Sequence, residues 1–132
     1  MREAAGAVIL ATVLTASALP ALACSCVRFS NAREQVRTTD VLFIGRAVRT
    51  ERDWFNRHLI YTTFVVDESL KGDVRGHVRV AQSDHTTCAV QTFARGARVI
   101  VLADRGRRGL HIGPCVFPYF TEAEYRAALR PS

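Results

Sequence analysis

The chain has 132 residues, nearly half of them hydrophobic, and a formal net charge of +6. That length accommodates one domain and, once a leader is removed, not two. No internal repeat, low-complexity tract or Asn-x-Ser/Thr sequon interrupts it, so a repeat array and a disordered linker are excluded.

Residues 1–23 read as a secretion signal. Met1-Arg2-Glu3 is a short polar start carrying one positive charge, and Ala4 to Leu19 is apolar and uncharged. After Pro20, the small residues Ala21 and Ala23 stand three and one positions before Cys24, which makes Ala23–Cys24 the favoured bond for signal peptidase. A retained anchor fits less well, because the stretch is short for a spanning helix and Pro20 interrupts it; no stable membrane span is expected. Lipidation of Cys24 also fits less well, since Leu normally stands where Ala21 is. The expected mature protein is residues 24–132, one secreted or periplasmic domain of 109 residues. Cleavage removes Arg2 and Glu3 together and leaves the charge at +6. Nearly all of it is arginine, Lys71 being the only lysine, a bias that points to a GC-rich, bacterial source. In an exported protein such charge favours anionic surface polymers over nucleic acid as partners.

Along the mature chain, Asn31 to Thr38 is polar and rich in helix formers, with Ser30 or Asn31 as cap. Asp40 to Val48 (DVLFIGRAV) is an apolar run of strand length, and Arg49 to Arg57 reads as a polar loop with Trp54 and Phe55 at its tip. His58 to Leu70 is β-branched and aromatic; KGDVRG is a turn; His77 to Gln82 alternates with period two. Ala97 to Asp104 is another buried strand, RGRRG a glycine-bounded turn, and Leu110 to Ile112 the start of a fifth strand. Thr121 and Glu124 have capping-box spacing and open a closing helix. Five strands between a short N-terminal helix and a C-terminal helix predict a mainly β fold, a small OB-type Greek-key barrel.

Cys24, Cys26, Cys88 and Cys115 are an even set in a small exported domain and read as two disulfides. Of three pairings, Cys24 with Cys26 would close a small strained ring. Either other pairing ties the N-terminal segment to two distant places, through loops long enough to contribute roughly 4 kcal/mol each in the chain-entropy model.

The order CSC at the mature N-terminus, TDVLFIGRAV, TTFVVDESLKG, Cys88, FARGARVIVLAD and Cys115 resembles the N-terminal, netrin-like domain of the tissue inhibitors of metalloproteinases, in a bacterial member. The resemblance runs from Cys24 to about Phe117. It implies the pairs Cys24–Cys88 and Cys26–Cys115, and a secreted metalloendopeptidase inhibitor whose partner is a zinc metalloprotease. It further implies that the free α-amine and carbonyl of Cys24 chelate the protease's zinc and that Ser25 enters the specificity pocket. Cys26, Val27 and the segment from Ser83 through His85, Thr86 and Thr87 to Cys88 would complete the contact ridge. Neither an enzymatic activity nor a resident cofactor is expected. The chain departs from the animal pattern: Arg28 follows Val27 where a proline is common, a third disulfide and the C-terminal subdomain have no counterpart, and the Trp54-Phe55 loop is short.

The chemistry is consistent with those residue types. A catalytic zinc keeps one position open for water. An α-amine and its own carbonyl form a five-membered chelate able to displace that water, and an α-amine, with a pKa of about 8, is far more easily neutral than a lysine. Other readings compete. A netrin-like binding or structural domain of the cell envelope would use Cys24-Ser25-Cys26 only as a staple and present Arg105, Arg107 and Arg108 to an anionic surface. His85-x2-Cys88 and His111-x3-Cys115 have spacings that could hold zinc, and Cys88 with His85 could in principle serve a thiol hydrolase.

Overall fold

The computed structural model describes residues 24–86 and 88–131. The expected leader, residues 1–23, lies outside the described residues, as do Thr87 and Ser132. Helix α1 (Ala32–Arg37) starts at Asn31, whose side-chain oxygen accepts the Glu34 N–H at 3.0 Å. It ends at Thr38, where the only lysine closes it: Lys71 Nζ donates to the carbonyls of Val36 at 2.7 Å and Thr39 at 2.5 Å. A cation beside the last turn interacts favourably with the carbonyl end of a helix.

Five strands follow: β1 (Val41–Arg52), β2 (Leu59–Lys71), β3 (His77–Ser83), β4 (Arg98–Gly106) and β5 (Gly109–His111). They close in the order β1-β2-β3-β5-β4, the expected OB-type barrel, with the parallel pair Val80↔Leu110 and Ala81↔His111 joining β3 to β5. β1 is shared. Its first half pairs with β4 from Val41↔Ala103 to Arg46↔Arg98, while its length pairs with β2. Irregularities at Leu42/Phe43, Ile44/Gly45 and Ala47/Arg49 bend it so that both pairings can be made. At Gly45 a Cβ would lie 2.6 Å from the Val65 carbonyl oxygen, so the close approach of β2 requires glycine there.

β1 is apolar on both faces because both are covered. Val41 and Phe43 point into the barrel with Phe64, Val80, Val101 and Ile112, while Leu42 packs outward with Leu102 against Val36 of α1 and Tyr125 of the last helix. Phe64 makes edge contacts with Phe43 and Phe93 at centroid distances of 5.6 and 4.9 Å. The second half of β1 corrects the expected boundary. Arg49 to Arg52 do not begin a loop; they pair with β2 through Thr50↔Thr62 and Arg52↔Ile60. This end of the hairpin is largely solvated, so no apolar run marks it as strand, and the turn is confined to Asp53–His58.

Helix α2 (Glu122–Leu129) carries the expected capping box between Thr121 and Glu124. Its buried Tyr125 hydroxyl donates to Gln35 Oε1 at 2.5 Å, and Gln35 Nε2 donates to the Phe117 carbonyl at 2.6 Å, tying α2, α1 and the intervening chain together. Outside that bond, Glu122 accepts from Arg98 of β4 and from Arg126, which also bridges Glu68 of β2. The hydrogen bonds from Arg98 and then Arg126 hold the Glu122 carboxyl at about 2, against an ordinary 4.5. A depressed carboxyl stabilises the fold fully above its unfolded pKa, and the contribution disappears as pH falls through the folded value. Glu122→Gln should therefore lower the melting temperature at neutral pH. The gap between variant and parent should narrow between pH 4.5 and about 2 in a thermal-melt series.

Among the described residues, no helix is long and apolar enough to cross a membrane.

Candidate functional site

The extended segment before α1 is held by both disulfides. Cys24 is bonded to Cys88 and Cys26 to Cys115, with Cα atoms 5.0 and 5.4 Å apart, the pairing implied by the family resemblance. Two such bridges suit an oxidising extracellular or periplasmic environment. They lie against each other: the sulfurs of Cys24 and Cys115 are 3.5 Å apart and those of Cys88 and Cys115 are 3.9 Å apart. Cys115 itself has φ 66°, a left-handed backbone that a side-chain-bearing residue adopts at a cost of about 1–2 kcal/mol.

Cys24 and Cys88 are half-buried, while Ser25, Cys26 and Val27 are exposed, Val27 at 72 %. His85 and Thr86 are exposed too, and their segment is shaped by local bonds: His85 N–H donates to Ser83 Oγ at 3.2 Å and Cys88 N–H to Thr86 Oγ1 at 3.1 Å. Thr87 lies outside the described residues. The Cys24–Cys88 bond thus brings the N-terminal segment beside the chain that follows β3, although the two are 64 residues apart in sequence. A cleft of about 270 Å³ runs under the segment, lined by Cys24, Ser25, Cys88, Pro114 and Cys115 among others.

A second groove of about 550 Å³ borders the same segment, between Val27 to Phe29 and the pair Tyr119 and Phe120. Sequence reasoning overlooked these aromatics. Their signal was the run CVFPYF, which has neither helical nor strand periodicity. Tyr119 is about half exposed, and its hydroxyl donates to the Cys115 carbonyl at 2.8 Å, so the groove wall is anchored to the second disulfide.

Beyond β3, the Asp84 N–H donates to the His58 carbonyl at 2.8 Å, so the turn Asp53–His58 and the approach to Cys88 are neighbours. Arg52 and then His58 hold the Asp84 carboxyl below the usual carboxylate range. At the turn's tip Trp54 and Phe55 are 81 % and 95 % exposed. The turn is nevertheless ordered, with Asp53 Oδ1 accepting the N–H groups of Phe55 and Asn56 at 2.9 and 2.8 Å.

All four cysteine sulfurs are in disulfides. This overturns the two readings that needed thiolates. The sulfurs of Cys24, Cys26 and Cys115 lie within 4.8 Å of one another, but bridged sulfur is a poor metal ligand and no nucleophile. His85 and His111 therefore have no cysteine partner for zinc. Of the arginines proposed for an anionic surface, Arg105 donates to the Gly72 carbonyl, whereas Arg107 and Arg108 stand exposed at the β4–β5 turn. No protein-family model and no curated protein sequence matches this chain.

Proposed function

We propose that the mature protein, starting at Cys24, is a secreted inhibitor of zinc metalloproteases that presents its α-amine and the Cys24 carbonyl to the catalytic zinc. The observation that supports this most is the double tether. Both bridges converge on a three-residue segment whose middle residue, Ser25, is exposed. A staple needs only one bridge; two bridges one residue apart fix the direction in which the segment points. Docking such a preorganised segment loses little conformational entropy. The exposed Ser25, Val27, His85 and Thr86 supply a ridge on either side of the chelating residue, in keeping with the tissue inhibitor resemblance. The envelope-binding alternative requires the arginines of the β4–β5 turn and is indifferent to the chemistry of the mature terminus.

Inhibition constants of the mature protein across a panel of zinc metalloproteases test the proposal directly. Ser25 should sit at the mouth of the specificity pocket, where its small side chain suits several enzymes. Ser25→Gly should weaken inhibition modestly and Ser25→Arg more strongly, with unchanged thermal stability because the residue is exposed. Parental inhibition by both variants would show that Ser25 does not meet the protease, and no inhibition across the panel by the parent would reject the proposal.

A further inference from the structure

His58 and His85 are 27 positions apart in sequence, yet their rings meet. Their centroids are 4.6 Å apart, with the planes inclined at 59°. The register of β2 and β3 makes this contact, since Leu59 pairs with Ser83 at the end of the ladder and both histidines lie just beyond that end. His58 Nδ1 lies 3.1 Å from Asp84 Oδ1, and Asp84 is held in turn by Arg52 at 2.5 Å. We propose that this pair is a surface binding site for a borderline divalent metal ion of the Zn²⁺ and Cu²⁺ type, with the two imidazoles as ligands and Asp84 as the positioning residue.

Imidazole is the ligand that these ions share. With metal–nitrogen bonds of about 2.0–2.1 Å, two imidazoles at 90–109° on one ion have ring centroids roughly 4.5–5.2 Å apart. The observed separation falls in that interval. The carboxylate on His58 Nδ1 fixes the tautomer that leaves Nε2 free for metal, as carboxylate–histidine pairs do around zinc. Arg52 holds Asp84 through its other oxygen, Oδ2, and leaves Oδ1 to His58. Both rings are exposed, so an ion can reach them and water can fill the remaining positions. A bound ion would cross-link the turn Asp53–His58 to the segment that runs on to Cys88. The site depends on no assumption about protease inhibition.

The chain carries its own reporter. Trp54 is the only tryptophan and lies in the same turn as His58. In the full mature protein, with its α-amine acetylated so that the Cys24 terminus takes no ion, Cu²⁺ should quench its fluorescence with one saturable equivalent, and calorimetry with Zn²⁺ should give the same stoichiometry with weaker affinity, following the Irving–Williams order. His58→Gln and His85→Gln should each weaken binding about tenfold or more, and Asp84→Asn by about tenfold, the usual effect of losing such a carboxylate. Arg52→Gln, which spares the Asp84–His58 bond, should leave it nearly unchanged. In the parent, the ring protons of His58 and His85 should shift on adding Zn²⁺ while those of His77 and His111 stay. This nuclear magnetic resonance measurement needs no variant to fold. The proposal is overturned by an absence of saturable binding, by binding that survives the double histidine substitution, or by equal shifts in all four histidines.

Discussion

Adding one alanine before Cys24 should reduce inhibition of a zinc metalloprotease on the order of a thousandfold, equivalent to several kcal/mol of binding. The added residue converts a basic amine into an amide nitrogen, whose lone pair is delocalised and which does not ligate zinc. It also places a side chain and a peptide group where the metal should be. Nothing in the barrel changes. Both disulfides remain, and the extension begins beside a segment already in solvent, so unfolding free energy should move by no more than about 0.5 kcal/mol, as for most surface changes. Paired inhibition assays and denaturant titrations of the two proteins separate the effects. A folded, extended protein that inhibits at parental strength would refute zinc chelation by the terminus; it would leave the barrel and its bridges untouched.

Replacing Cys26 and Cys115 together by serine should destabilise the domain by about 2–5 kcal/mol in urea titration, the common cost of losing a native bridge in a small domain. The bond closes a segment of 89 residues, so its removal frees most of the denatured chain. The unfolded state should expand, and the denaturant slope should rise with it. A further substitution distinguishes the contributions. Cys115 holds a left-handed backbone, and glycine tolerates that conformation at no steric cost. Cys26→Ser with Cys115→Gly should therefore recover part of the stability, about 1 kcal/mol, relative to the double serine variant. Inhibition should weaken in both, because Ser25 and Val27 would be tethered through Cys24 alone.

The barrel core was legible because its strands are apolar over lengths that helices rarely stop at, and the last helix because Thr121 and Glu124 announce its first turn. The outer half of β1 was not. Arg49 to Arg52 owe their strand conformation to pairing with Thr63, Thr62, Tyr61 and Ile60, and a solvated ribbon leaves no hydropathy trace. At the candidate site, spacing alone left two cross-linked arrangements of the cysteines open, and the family resemblance chose between them. His58, Asp84 and His85 were invisible as a group, since only the register of β2 against β3 places them together. The same holds for Tyr125 and Gln35, joined by one buried hydrogen bond across 90 positions.

The way α1 ends has a practical consequence for handling the protein. Lys71 is the only lysine, and its ammonium is engaged by the carbonyls of Val36 and Thr39 in a half-buried position. With the mature terminus proposed above, an amine-directed reagent at neutral pH therefore meets one readily available nucleophile, the α-amine, which is less basic than a lysine. Dyes, biotin esters or activated surfaces applied under ordinary coupling conditions would attach chiefly at the terminus. On the proposed mechanism, such a label lands on the chelating nitrogen, so a conjugate prepared for capture or imaging would be inactive by construction; attachment through an engineered site on the far side of the barrel would preserve it.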